Sequence, residues 1–402
     1  MSASGSSELI RSQNILPDPI RAPGLHLPEN RKEGFDKAKS LWGEGRVWEG
    51  ERPFLQKGPS SLLQVSLPFS PSKKSDMDNK KVIVLTTGGT IAMKLDPAHG
   101  IVPAVSGEDL VASVPGLREA CPIEVTEFSN IPSPHMTPKR MFELGNKVEE
   151  LLRHEDILGV VITHGTDTLE ETAYLLDLVH NSEKPVCLTG AMRSAAEISP
   201  DGPVNLLCAV RTAASSEARG KGVLVVMNEE IHAAREVVKS HSANTETFVS
   251  PFWGPLGYVD PDRVVFRRNT LGRQSIRPPE LVEDVHLIKL ASGSDSLLID
   301  FLVERNVRGL VLEAFGRGNV PPAALPGIRR AVEKGIPVVI TTRTIAGRVL
   351  DVYGYEGGAK TVLEAGGILG GETSGPKARL KLMLALGVAS GRDELAVFFD
   401  TP

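Results

Sequence analysis

The chain reads as an α/β protein, with a larger N-terminal doubly wound α/β domain and a smaller C-terminal α/β domain. Three observations predict this. Apolar runs of strand type stop abruptly at small polar turns, with helical periodicity just beyond, as where Gly159-Val160-Val161-Ile162-Thr163 gives way to His164-Gly165-Thr166-Asp167-Thr168-Leu169. Strand and helix alternate in this way from Lys81 onward. Around 254–284, Pro255, Pro261, Pro278 and Pro279 interrupt the pattern, and a second alternation follows.

Taken in order, residues 1–78 are rich in Ser, Pro, Gly and charge, with little periodicity. They read as a mostly disordered or loosely ordered extension. Trp42 and Trp48, near Phe35 and Phe54, leave room for a small packed element. The N-terminal domain is expected over 79–254. Its strands fall at 81–86, 159–163, 185–188 and 222–227, and its helices at 137–153, 168–180 and 203–215. Thr168 with Glu171 three residues on reads as a capping box for the second of these helices. Residues 255–284 read as an interdomain connection. The C-terminal domain, 285–402, is expected to hold strand 285–290, helix 294–305, strand 309–312, helix 321–334, strand 336–341 and helix 376–389.

Composition narrows the function classes. Hydrophobic residues make up 41% of the 402, enough for sizeable cores. The formal net charge is −5, without a basic patch, which weighs against nucleic acid as a partner. Cys121, Cys187 and Cys208 match no metal or redox spacing and read as reduced, buried thiols of a cytoplasmic protein. No apolar run approaches the roughly 18 residues that span a bilayer, so no membrane partner is expected. Residues 1–30 lack the apolar core of a secretory signal. Gly88-Gly89-Thr90 lacks the third glycine of a dinucleotide fingerprint and the Gly-Lys-Ser/Thr of a P-loop, so a nucleotide-binding reading fails on the residues.

Two segments carry the chemistry. Thr166 and Asp167 stand at the carboxyl end of a strand and beside a helix N-terminus, where open α/β sheets place ligands. Lys81-Val82-Ile83-Val84-Leu85-Thr86 is a buried-strand run that ends in Thr87-Gly88-Gly89-Thr90-Ile91-Ala92. The two glycines let the backbone turn sharply. The Thr90 hydroxyl behind them can serve as nucleophile, with nearby N–H groups as an oxyanion site. Each residue also has an ordinary reading. Thr90 can cap a helix, Asp167 can answer a helix dipole, Lys239 can be a surface lysine, and Ser133 can be a turn residue between prolines. His164 reads as a structural histidine, and Met192 and Met227 as packing.

The motifs together resemble the bacterial-type L-asparaginases, amidohydrolases with a threonine nucleophile. The resemblance rests on Thr87-Gly88-Gly89-Thr90-Ile91-Ala92, His164-Gly165-Thr166-Asp167-Thr168-Leu169-Glu170-Glu171-Thr172 and Leu188-Thr189-Gly190-Ala191-Met192-Arg193. Asp201-Gly202-Pro203 with Asn205-Leu206, and Gly222-Val223-Leu224-Val225-Val226-Met227-Asn228, extend it. It runs from about Lys81 to the C-terminus. It implies that Thr90 is the acyl-forming nucleophile and that Thr166, Asp167 and Lys239 form a relay activating a hydroxyl or water. It further implies that Asp167 binds the substrate α-ammonium and Ser133 the α-carboxylate, on a small amino-acid amide, and that no cofactor takes part. It implies a homo-oligomer, dimer or tetramer, with the 353–358 loop as a candidate element reaching a neighbouring protomer.

Two departures stand out. The stretch after Thr90, Met93 to Pro103, lacks the tyrosine that many relatives carry, and Gly100 falls near its place. A water, Lys239, or a tyrosine from elsewhere such as Tyr353 or Tyr355 could take its place. Pro134 stands after Ser133 where periplasmic relatives have a glutamine, and Pro97 stiffens the loop that follows Thr90. Two other readings compete. One is the asparaginase-like subunit of a tRNA-dependent amidotransferase, disfavoured by the scarcity of period-2 strands in 1–78. The other is a non-catalytic amino-acid binder.

Overall fold

In this computed structural model the described residues are 80–96, 100–103, 106–270 and 272–400, with backbone alone for 92–96 and 100–103. The expectations for residues 1–78 and for Pro97 lie outside them.

The first half begins with β1 (Lys81–Gly88), a 3-10 turn (Thr90–Ala92), and a hairpin of β2 (Met93–Asp96) with β3 (Gly100–Pro103). Next come α1 (Gly107–Ala112), α2 (Leu117–Ala120), β4 (Ile123–Ile131), α3 (Pro138–Leu152), β5 (Ile157–Thr163), α4 (Leu169–Val179), β6 (Val186–Thr189) and α5 (Gly202–Ala214). β7 (Val223–Met227), β8 (Glu230–Ala233), β9 (Val238–Lys239), β10 (Phe248–Val249), β11 (Gly257–Val259) and β12 (Val264–Phe266) complete it. The second half contains β13 (Val285–Lys289), α6 (Leu297–Glu304), β14 (Gly309–Ala314), α7 (Leu325–Glu333), β15 (Val338–Thr342), α8 (Ala359–Glu364), β16 (Ile368–Leu369), α9 (Gly375–Ala385) and α10 (Arg392–Asp400).

The larger sheet has the order β12-β11-β8-β7-β6-β5-β1-β4. From β4 to β7 it is parallel, and β8, β11 and β12 add antiparallel strands at the far edge. The smaller sheet, β13-β14-β15-β16, is parallel throughout. Alternate residues of β1 feed opposite faces, as the pleat requires. Ile83 and Leu85 join the core that α3, α4 and α9 cover, and Val82 and Val84 join the core beneath α5. The first of these cores is continuous with Val285, Val311 and Val339 of the smaller sheet. Helix α9 therefore lies in the middle and is buried nearly all round, even though it carries Lys377 and Lys381 among its buried residues. A third core, with Ile299 and Ile328, fills the outer face of the smaller sheet under α6 and α7.

Three expectations change. The segment 255–284 is not connection alone, because β11 pairs with β8 and β12 with β11, extending the larger sheet. Their three-residue length and the flanking prolines hid them. The loop after Thr90 is a β-hairpin on both sides of its tip. Thr168 makes no side-chain cap to α4, because its hydroxyl turns away from the helix and donates to the Ser133 carbonyl at 2.8 Å. Among the described residues, no helix is long and apolar enough to cross a membrane.

Candidate active site

The strand order sets where a ligand can sit. β1 is followed in space by β4 on one side and β5 on the other, so the chain leaves the carboxyl end of β1 one way and that of β5 the opposite way. The crevice between them is the switch point at which open α/β sheets bind ligands. The turns after β1 and β5 both end there.

These two turns touch through glycines. Gly89 has φ +87°, a left-handed conformation, and a Cβ there would overlap Gly165 backbone atoms. A Cβ on Gly165 would lie 2.7 Å from Ser133 Cβ. Glycine at both positions thus lets three turns converge: 88–90, 132–134 and 165–168. The Asp167 N–H donates to Ser133 Oγ at 3.2 Å, which with the Thr168 hydroxyl ties the second turn to the third.

His164 is wholly buried under this junction. Nδ1 lies 2.7 Å from Gly165 O and Nε2 3.0 Å from the Thr172 hydroxyl. Burial pushes its imidazole down to about 4, so it is neutral at physiological pH and acts as a brace.

Lys239 arrives from the far side on the two-residue ribbon of β9 with β10, and its N–H donates to Glu170 Oε2 at 2.6 Å. Its ammonium donates to Thr166 Oγ1 at 2.9 Å and to Asp167 Oδ1 at 2.7 Å. The lysine side chain is only 14% exposed, whereas the Asp167 carboxylate is 62% exposed and faces outward. The pair is thus wet on its acidic side, where a cationic group from solvent can reach it.

Around these groups lies a cleft of about 200 Å³, lined by Thr90, Ser133, Pro134, Thr166, Asp167 and Lys239 among others. Pockets for drug-sized ligands run to roughly 300–1,000 Å³, so this space suits a smaller molecule. The structure thus brings together all five residues singled out in the sequence: Thr90, Ser133, Thr166, Asp167 and Lys239. No tyrosine is among the described residues lining the cleft. Tyr353 and Tyr355 instead pack on one another, with ring centroids 5.7 Å apart.

Two further contributions come from motif residues for which the sequence alone indicated no role at the site. Met192 lines the cleft, and its N–H is held by Asp201, whose carboxylate also accepts from the Arg193 N–H and from Asn205 Nδ2. The Asp201-Gly202-Pro203 and Asn205 motif therefore braces the loop after β6. Glu170, which the sequence offered only as one member of the 164–172 motif, is the acceptor that anchors Lys239.

Residues 81–271 match the family described as Asparaginase, N-terminal, and residues 284–399 match the Glutaminase/Asparaginase C-terminal domain. The chain is 38% identical over 309 residues to an L-asparaginase of Bacillus licheniformis, covering 77% of this chain and 96% of that protein. It is 36% identical over 330 residues to a glutamyl-tRNA(Gln) amidotransferase subunit of Pyrococcus abyssi, covering 78% and 74%. The crystal structure of a probable cytoplasmic L-asparaginase from Campylobacter jejuni superposes with a TM-score of 0.74 at 35% identity, covering 80% of this chain and all of that one. The chain belongs to the bacterial-type L-asparaginase family of amidohydrolases.

Proposed function

We propose that the protein is an L-asparaginase that hydrolyses L-asparagine to L-aspartate and ammonia through a threonine nucleophile. The observation that carries this reading is the Lys239 ammonium within hydrogen-bond distance of both Thr166 and Asp167, at a small cleft that also presents Thr90 and Ser133. Asp167 receives the substrate α-ammonium. Ser133, whose oxygen already accepts from the Asp167 N–H, keeps its own proton to donate to the α-carboxylate. Thr90 Oγ adds to the side-chain carbonyl carbon, with N–H groups of the glycine turn stabilising the oxyanion. The Thr90 proton passes through the Thr166–Lys239 relay to the leaving nitrogen, and ammonia departs. The same relay then takes a proton from a water that attacks the acyl ester and returns one to the Thr90 oxygen, releasing aspartate and free Thr90.

Ammonia release from L-asparagine, L-glutamine and D-asparagine tests the proposal. L-Asparagine is expected to be favoured over L-glutamine by roughly 10–200-fold in kcat/KM, the range one methylene commands in a fitted site. Pro134, exposed beside the cleft, brings no side-chain amide to meet a longer substrate. Equal or greater kcat/KM for glutamine would favour a second reading, ammonia supply within a tRNA-dependent amidotransferase, motivated by the likeness to the Pyrococcus abyssi protein.

A cytoplasmic homo-oligomer, dimer or tetramer, completes the proposal. Buried free thiols at Cys121, Cys187 and Cys208 fit a reducing compartment. Exposed Phe252, Trp253, Tyr353 and Tyr355 supply apolar surface for a neighbouring protomer. A fully active monomer in light scattering would refute the assembly.

A further inference from the structure

Lys377 is the third residue of α9, contributed by the smaller domain, and is among the largest fully buried side chains described. Lysines are almost never fully buried unless paired. Its three ammonium donors have three backbone acceptors: Ala234 O at 3.0 Å, Arg235 O at 3.2 Å and Val237 O at 2.6 Å. The Tyr174 ring stands 5.6 Å from the nitrogen. The three carbonyls belong to one turn, 234–237, that leads into β9 and hence into Lys239. Beyond that turn, the Lys239 N–H is held by Glu170. Two anchors therefore bracket the short backbone that delivers the Lys239 side chain, and each comes from a different helix. Burial lowers the Lys377 ammonium to about 8, while the charges of Glu170 and Glu236 work against that fall.

We propose that Lys377 and Glu170 are positioning residues for amide hydrolysis: they clamp the 234–239 backbone so that Lys239 Nζ meets Thr166 and Asp167. The inference rests on the asparaginase chemistry proposed above. A helix of the smaller domain thereby sets the geometry of a relay that lies wholly in the larger one. Ser133 and the Asp167 backbone are held by other contacts, so substrate binding should be largely spared when the clamp is removed.

The test is steady-state ammonia release from L-asparagine by the full chain. Lys377→Met is expected to lower kcat about 10–100-fold, the scale that a misplacement near 1 Å costs, with KM changed less than about 3-fold. Glu170→Ala should lose kcat similarly, and Glu170→Gln, which keeps an acceptor for the Lys239 N–H, should recover most of the loss. If Lys377→Met does not fold, the Glu170 pair decides alone. Folded Lys377→Met with wild-type kcat, or Glu170→Gln no better than Glu170→Ala, would overturn the inference while leaving the asparaginase reading intact. Wild-type protein that releases no ammonia from either L-amide would overturn both.

Discussion

At the scale of single residues, reactivity follows from which groups share the cleft. Thr90 and Thr166 reach it from two different strand ends, and neither hydroxyl contributes to a core. Thr90→Ala and Thr166→Ala are each expected to cost several orders of magnitude in turnover while leaving the circular dichroism spectrum native. Near-native turnover in both folded variants would remove the two hydroxyls from the mechanism. Gly89 offers the opposite case, a residue that acts by having no side chain. With φ +87° and the Gly165 backbone against it, Gly89→Ala must shift one turn against the other. The expected loss is about 1–3 kcal/mol of stability, as for overpacking elsewhere, together with reduced activity. Urea titration alongside the ammonia assay measures both, and an alanine variant of native stability would show that the turns separate easily.

At the scale of elements, the strand–turn–helix unit from β5 to α4 is held by a buried neutral histidine. His164 is pushed down to about 4 by burial, and buried His232 is likewise lowered to about 4. In the unfolded chain each would titrate at its ordinary value of 6.5, so below that pH the unfolded state binds protons that the folded state refuses. The stability they permit is complete above about pH 6.5 and declines as the pH falls toward about 4. Glu149 adds a separate, more acidic window. Burial alone would raise its carboxyl, but His180, the Asn181 N–H and Arg277 together hold it at about 2. Its contribution is present above its ordinary value of 4.5 and is lost as the pH falls toward about 2. Calorimetric melting across these windows should show two successive declines. A melting temperature constant from about pH 6.5 to about pH 4 would contradict the histidine assignment.

At the scale of the whole molecule, the site residues lie in the larger domain, while α9 of the smaller domain is packed against α4 and caps the turn ahead of Lys239. The two sheets therefore share one core, and separating them should expose apolar surface on both. The family match begins at residue 81, and every residue of the cleft lies beyond it. A chain beginning near Asn79 is expected to fold and to keep the kcat/KM of the full chain for asparagine. Insolubility of that truncation, or a large loss of activity, would assign the first 78 residues a part in the fold.

Much of this was determined by local sequence. The apolar runs at 81–86, 159–163 and 222–227 are strands because β-branched residues uninterrupted by polar ones fit a strand buried on both faces. Thr90, Thr166 and Asp167 sit at strand ends because glycines and small polar residues stop those runs at fixed points. Edge strands were less legible: β4, with Glu124, Glu127 and Asn130, is half-buried and polar, and its pairing with β1 supplies what its composition lacks. What only the tertiary structure decided is the company each residue keeps. Thr168 was read as a helix cap and instead braces Ser133. Glu170 reaches Lys239 across 69 positions, and Lys377 reaches Val237 across 140. Periodicity reports the few residues on either side of a position, whereas a buried ammonium is satisfied by whichever carbonyls the packing of two domains carries to it.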